Sequence, residues 1–319
     1  DACMQRFSAQ TKRTFTRETL VDAFGSGPLE ERLAWRRAWL EHNRTTINNL
    51  FRVIEHTVHK LKPGLPLGFM TGDRFYEGYD FSNWARTLAG PQHSEVRWRP
   101  GGGFYSEISL AGLVEKAHDI GRQVSQLPAE VKVIQSEIEN FPYDLLRKSA
   151  EATVIEAAAH MAAGTTGTAF NVLSQRPDPV DEHEPMLRRI HQAKDFYATL
   201  QKELGRSPVV GFWPAWNRDL LIAGNVDGPW PNFDAVGDLR GKGYVLGEIG
   251  VPLCYGPNGA VATLLAGASV FAFNRAELRQ MFSGGVLMDV TAWHALDRLG
   301  LADWTGVQPE ARDVKPVKF

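Results

Sequence analysis

The chain has 319 residues, of which 43% are hydrophobic and 23% charged, with a formal net charge of −2 and a pI near 6.6. Because basic and acidic residues are interspersed, this composition excludes a partner held by bulk charge, such as nucleic acid or an anionic membrane.

No apolar run reaches the length that spans a bilayer. The two cysteines, Cys3 and Cys254, lie too far apart in sequence to indicate a disulfide framework or a cysteine-based metal site. The N-terminus lacks the pattern of a signal peptide, so a cytoplasmic location is favoured over a secreted one.

Helices and short apolar strands alternate along the first two thirds of the sequence. Residues 1–28 are polar and end in a turn cluster, and a long helix is predicted from about Leu29 to Leu61. Four strand–loop–helix steps follow. The predicted strands are Leu67–Met70, Val96–Arg99, Val131–Glu137 and Thr168–Leu173, and the predicted helices cover residues 79–89, 109–127, 144–163 and 186–204. This alternation is typical of an α/β fold in which helices cover a parallel sheet.

The character of the sequence changes after Gly205. A strand is predicted at Val209–Trp213, and a loop rich in Asp, Gly, Pro and Trp covers Asn217–Asp238. The later segments are the apolar stretches Tyr244–Ile249 and Gly267–Phe273, the helix Arg275–Phe282, the strand Gly285–Asp289 and the helix Thr291–Leu299. The sequence therefore predicts one domain over residues 1–204 and a smaller, open-sheet α/β domain over residues 205–319.

The strand that begins at Val131 carries the most informative side chains. Glu137 and Glu139 share a parity with Val133 and Gln135, so all four point to one face of an extended chain. The two acidic residues come at the carboxyl end, where parallel α/β folds place their chemistry. A carboxylate there indicates a nucleophile or a proton-transfer group. The plainer alternative is that both residues pair with arginine at a strand end.

The preceding strand ends in a second group of candidates. Arg99 is suited to holding a carboxylate in its charged form, which lowers the pKa of that carboxyl. Trp98 and Arg99 have opposite parity, so only one of them can face the same side as Glu137. The glycines at 101–103 either let a ligand approach the backbone closely or form a plain flexible loop before Tyr105.

Several stretches resemble glycoside hydrolase family 42 β-galactosidases. Met281–Asp289 and the following Ala292–Gly306 resemble their trimerisation domain, which has a glutamine-amidotransferase-like, flavodoxin-like fold. Glu31–Asn43 and Gly68–Gly72 resemble the second half of their (β/α)8 TIM barrel. Cys3–Phe7 and Phe15–Leu20 resemble the segment just after the fourth barrel strand. Related families with the same three-domain plan, including a β-mannosidase-like one, fit about as well.

The resemblance implies a retaining glycoside hydrolase that cleaves β-glycosidic bonds, β-galactosides above all, and assembles as a homotrimer. The family's cysteine-based zinc site is not reproduced, because Cys3 alone cannot bind zinc tetrahedrally, so neither a metal nor a cofactor is expected. By this resemblance, the four strand–helix units correspond to barrel strands five to eight with their helices. Glu137 corresponds to the family's nucleophile, which lies at the end of strand seven. Glu139 is the competing choice, less favoured because it lies further out, where the chain turns away. The candidate substrate-binding residues, which lie at the ends of the predicted strands, are Asp73, Trp98, Arg99, Tyr105, Glu139, Asn140 and Asn171. Asp73 could equally be a helix N-cap.

The sequence departs from that family in its second catalytic carboxyl. The family's general acid/base is a Glu that follows an Asn at the end of barrel strand four, and no Asn-Glu dipeptide occurs in the chain. Because barrel closure uses eight strands, we expect a native N-terminal half, with the acid/base, upstream of Asp1. Two other functions stay open: an inactive carbohydrate-binding or scaffold protein of the same fold, and an amidotransferase-type enzyme using Cys254. The segment around Cys254 lacks a Gly-x-Cys-x-Gly pattern, which favours a buried structural thiol.

Overall fold

The chain forms two compact units. The computed structural model describes residues 2–72, 78–174, 177–205, 207–236 and 243–310. The first unit comprises Asp1–Arg17 and Trp35–Val209, and the second comprises Glu18–Ala34 and Val210–Phe319. Residues 18–34, which the sequence assigned to the first domain, thus pack with the second unit.

Three helices precede the first strand, namely α1 (Ala2–Thr11), α2 (Arg17–Gly25) and α3 (Leu29–Leu61). The helix α3 has the bounds that its apolar spacing predicted. The helices α1 and α2 were not predicted, because each contributes few apolar residues. Three of those residues, Phe7, Leu20 and Phe24, are nevertheless buried.

The first unit contains a parallel sheet in the described part of the chain, with strands in the order β1 (Leu67–Thr71), β2 (Val96–Pro100), β3 (Val131–Glu139) and β4 (Gly167–Asn171). The connecting helices are α4 (Phe81–Ala89), α5 (Ala111–Val124) and α6 (Ala150–Ala162). Two helices follow β4, α7 (Glu184–Gln192) and α8 (Lys194–Glu203). They replace the single helix predicted at 186–204 and meet at Ala193. The predicted α/β class with a parallel sheet is confirmed.

The strand β3 has a helix side and an open side. Ser136 and Ile138 are fully buried, and Ile138 packs in one apolar cluster with Val154 and Ala157 of α6. Glu137 and Glu139 alternate with them and pair in register with Ala169 and Asn171 of β4. The carboxylates therefore lie on the face of the sheet away from α6.

The second unit contains a parallel sheet in the order β5 (Gly211–Pro214), β6 (Ala260–Leu265) and β7 (Val286–Met288) within its described residues. Its α-helices include α9 (Val245–Glu248), α10 (Arg275–Met281) and α11 (Val290–Arg298). The strand β6 was not predicted, and the apolar Gly267–Ala272 forms a 3-10 helix after it. Throughout the described ranges, no helix is both long enough and apolar enough to cross a membrane.

Candidate active site

The carboxylate of Glu137 meets a guanidinium at the ends of two adjacent strands. The side chain of Glu137 is 12% exposed, and its Oε1 lies 3.1 Å from Nη2 of Arg99 on β2. A methyl group added to Gly101 would lie 3.3 Å from Oε2 of Glu137, so the backbone after β2 also runs close to the carboxylate. The structure thus brings together the two residues that the sequence singled out for charge pairing.

Opposing influences act on the Glu137 carboxyl, and their net effect is to raise its pKa above the ordinary value of 4.5. Burial is the largest cause, and the neighbouring Glu139 carboxylate raises the pKa further. Arg99, and then Lys116 of α5, lower the pKa and so oppose this shift. A carboxyl under such competing influences at a strand end is a common feature of catalytic sites, although structural ion pairs also produce it.

Glu139 lies in a hydrogen-bonded group of its own. Asn171 on β4 donates through Nδ2 to Oε1 of Glu139 at 3.0 Å, and the Tyr143 hydroxyl donates to the same oxygen at 3.4 Å. Asn171 also donates to the Tyr143 oxygen at 3.2 Å. These donors fix the position of the Glu139 carboxyl group.

Three aromatic rings contact one another beyond the ends of β2 and β3, and one of them, Tyr143, contacts Glu139. The ring of Phe141 meets Tyr105 edge to face at 5.9 Å and Tyr143 at 5.6 Å between centroids. Phe141 is 54% exposed and Tyr105 is 38% exposed, so part of each ring faces solvent. Such rings offer apolar faces on which the C–H groups of a sugar can stack. Tyr105 was predicted, whereas Phe141 and Tyr143 were passed over, although the aromatic run after β3 was a visible signal.

Two residues proposed for substrate binding lie in the interior instead. Trp98 is 1% exposed and donates through Nε1 to the hydroxyl of Thr71, so Arg99 and not Trp98 faces Glu137. Asn140 is also 1% exposed and donates to the main-chain carbonyl of Val172, which gives it a structural role at the strand ends. Asp73 lies outside the described residues.

A buried charged cluster, which the sequence analysis missed, supports the end of β3 from the helix side. It consists of Lys116 on α5, Lys148 just before α6, and Glu156 on α6. Each lysine Nζ lies 2.7 Å from one oxygen of the Glu156 carboxylate. The available signal was that Lys116 falls on the apolar face of α5, between Leu113 and Ile120 at helical spacing.

The second unit does not support the thiol-based alternative. Cys254 is 2% exposed, its Sγ lies 3.5 Å from the Gly211 carbonyl oxygen, and burial raises the pKa of its thiol. A cavity of about 410 Å³ in this unit is lined in part by Asp227, His294 and Arg298, and Cys254 is not among its lining residues. A protonated, enclosed thiol is a poor nucleophile. Among the residues that the structure describes, no group of three or more His, Cys, Asp or Glu could hold a metal ion.

No protein family, curated protein or solved structure matches this chain. The resemblance to family 42 β-galactosidases therefore stays a prediction. Any assignment of function has to depend on the chemistry of the residues at the ends of β2, β3 and β4.

Proposed function

We propose that the protein is a retaining glycoside hydrolase for β-linked sugars, above all β-galactosides, and that Glu137 is its nucleophile. The observation that carries this proposal is the ion pair between Glu137 and Arg99 at the ends of β2 and β3. This pair joins a largely buried carboxylate to a cation that favours its charged form. The partly exposed rings of Tyr105 and Phe141 follow β2 and β3 in the chain. That combination suits a site that binds an uncharged, hydroxyl-rich substrate and attacks it with a carboxylate.

The proposed reaction has two steps. An oxygen of ionised Glu137 forms a bond to the anomeric carbon while the bond from that carbon to the leaving-group oxygen breaks, and a second carboxyl group gives its proton to the leaving oxygen. That second group then removes a proton from water, which attacks the same carbon and releases Glu137. Arg99 keeps Glu137 ionised before attack, and Glu139, held by Asn171 and Tyr143, accepts hydrogen bonds from substrate hydroxyls.

The finer fold assignment belongs to the same proposal. The order β1-β2-β3-β4, with a helix after each strand, supports strands five to eight of a (β/α)8 barrel. In this proposal the first half of the barrel and the acid/base Glu lie upstream of Asp1. The second unit, an open parallel sheet, is then the amidotransferase-like domain that builds a homotrimer.

The test compares Glu137→Gln with Glu139→Gln in the protein together with its native upstream segment. On nitrophenyl β-galactosides, β-mannosides and β-glucosides, we expect Glu137→Gln to lower kcat by about 10³-fold or more, because covalent attack is lost. Glu139→Gln, the matched control, is expected mainly to raise KM. Circular dichroism checks that both variants fold.

A third variant identifies the role of Glu137 directly. In Glu137→Gly, added azide can occupy the vacated position and attack the anomeric carbon, so azide is expected to restore turnover and to give an α-glycosyl azide from a β-glycoside. Full activity of Glu137→Gln, or rescue by azide in Glu139→Gly and not in Glu137→Gly, would contradict the assignment. Saturable sugar binding without turnover in the wild-type protein would instead favour a carbohydrate-binding protein, which the exposed rings of Tyr105 and Phe141 also suit.

A further inference from the structure

Three charged side chains are buried together behind the end of β3. The side chains of Lys116, Lys148 and Glu156 are 3%, 0% and 0% exposed. Removing charged groups from water is costly, and a buried ion pair is often no more stabilising than an apolar replacement. Stability alone is therefore a poor explanation for two lysines that share one carboxylate.

Both lysines also donate to main-chain carbonyls, including those of the two acidic residues of β3. Nζ of Lys116 donates to the carbonyl oxygen of Glu137 at 2.7 Å. Nζ of Lys148 donates to the carbonyl oxygen of Glu139 at 2.5 Å and to that of Phe104 at 2.6 Å. With Glu156, Lys148 has three acceptors, which is the full capacity of an ammonium group. Burial lowers the pKa of Lys148, and the charge and hydrogen bond of Glu156 oppose this shift and favour the protonated form. The two lysines thus hold the main chain at both acidic residues of β3.

The cluster carries an excess of positive charge. Two ammonium groups and one carboxylate leave a net charge of +1. His160, also fully buried, adds none, because burial and then the two lysines lower the pKa of its imidazole well below the ordinary value. The groups that act on the Glu137 carboxyl are Glu139 on its own strand, Arg99 on β2 and Lys116 on α5, and the last two favour its ionised form.

We infer that Lys116, Lys148 and Glu156 are positioning residues for Glu137: they fix the main chain of β3 at Glu137 and Glu139 and maintain a positive charge behind the Glu137 carboxylate. The inference rests on the proposed function, because it assigns the cluster to preparing a nucleophile. The effect of the cluster's charge on the pKa of Glu137 can be measured without any substrate.

The first measurement is a carboxyl ¹³C NMR titration of glutamate-labelled protein, in which Glu137→Gln identifies the Glu137 signal. Lys116→Met reduces the net charge of the cluster to zero, so the pKa of Glu137 is expected to rise. The double variant Lys116→Met/Glu156→Gln restores a net charge of +1, so its Glu137 pKa is expected to return towards the wild-type value. Lys202→Met removes a lysine that is 81% exposed and is the matched control, with no expected change.

The second measurement is the pH profile of kcat for the same variants. Lys116→Met is expected to lose on the order of 100-fold in kcat, as for a reacting group displaced by about 1 Å, and its acidic limb should move to higher pH. The double variant should recover the position of the acidic limb but not the rate, because the hydrogen bond to the Glu137 carbonyl stays lost. A purely structural role would leave that limb in place.

The outcomes separate the two proposals. An unchanged Glu137 titration in folded Lys116→Met overturns the inference, whatever the activity. A shifted titration in a protein that hydrolyses no glycoside would support the electrostatic role and count against the proposed function. Should Lys116→Met fail to fold, Lys116→Gln, which also removes the charge but can still donate to the carbonyl, provides the same titration test.

Discussion

The carboxyl of Glu137 lies in surroundings that do not favour its charge. Burial and the neighbouring Glu139 raise its pKa, and Arg99 and Lys116 only partly offset this shift. A group whose pKa is raised by folding contributes stability below its unfolded value and loses that contribution as the pH rises through its folded value. Above its unfolded pKa, Glu137 therefore destabilises the fold, because its carboxyl ionises less readily in the folded protein than in the unfolded chain.

Replacing Glu137 by Gln is consequently expected to raise the midpoint of thermal unfolding at pH 7. The difference from wild type should disappear as the pH falls below the ordinary glutamate value of 4.5, where both side chains are neutral. Glu107 provides the matched control, since hydrogen bonds from Ser149 lower the pKa of its carboxyl. Glu107→Gln should lower the midpoint at pH 7, an effect that is lost as the pH falls through the folded pKa. Calorimetry that finds Glu137→Gln less stable than wild type at pH 7 would contradict the argument.

At the scale of single residues, the sequence predicted some members of the candidate site and missed others. Parity along β3 placed Glu137 and Glu139 on one face, and the end of β2 supplied Arg99. Parity alone could not decide between Trp98 and Arg99, because it does not say which face of a strand the helices cover. The lysines of the buried cluster could not be predicted from type, because lysine is almost always exposed unless it is paired.

At the scale of elements, the turn from α4 into β2 depends on a residue without a side chain. Gly90 ends α4 with φ 62° and ψ −172°, a conformation that is essentially restricted to glycine. A Cβ at this position would lie 2.1 Å from Oε1 of Glu55 on α3. That oxygen is also 2.9 Å from Nδ1 of His59, so moving it would break a buried contact.

We expect Gly90→Ala to lower the free energy of unfolding by about 2–3 kcal/mol, because backbone strain adds to the displacement of Glu55. Gly64 is the matched control: its φ is 75°, and an added Cβ would have nothing within 4 Å. Gly64→Ala should cost only about 1 kcal/mol, from backbone strain alone. Urea unfolding of both variants measures the difference, and equal costs would show that the contact with Glu55 has no effect.

The elements of the first unit were more predictable than those of the second. The predicted ends of β1, β2, β3 and β4 lie within about two residues of the observed ends, because Gly or Pro occurs in the turns that flank these strands. The strand β6 was missed because Ala260–Leu265 begins with small residues and shows no clear alternation of apolar and polar side chains. The 3-10 helix at Gly267–Ala272 is fully apolar apart from one serine, so composition alone could not distinguish it from a buried strand.

At the scale of the whole molecule, the chain passes from one unit to the other after Arg17, Ala34 and Val209. Within the second unit, the ring of Phe24 meets that of Trp230 at 4.7 Å, and Arg32 donates to the Val226 carbonyl at 2.5 Å. A change of composition marks a boundary in the sequence, but it cannot show that an earlier segment packs with later residues. For that reason the change after Gly205 predicted a contiguous domain, whereas residues 18–34 complete the second unit.

A fragment of residues 210–319 should therefore lack a cooperative thermal transition, because it exposes the surface of Trp230 and Val226 that residues 18–34 cover. Adding a peptide of residues 18–34, or joining it through a flexible linker, should restore the transition. The same peptide with Phe24→Ala should restore it less well, since truncating a buried Phe costs about 3–5 kcal/mol.

Calorimetry and circular dichroism of the fragment measure whether it unfolds cooperatively. Cooperative unfolding without the peptide would show that residues 18–34 only cover a unit that is already stable. If the peptide is required, the second unit cannot fold until both parts of its sequence have been made, so a truncation at the compositional boundary removes part of its core.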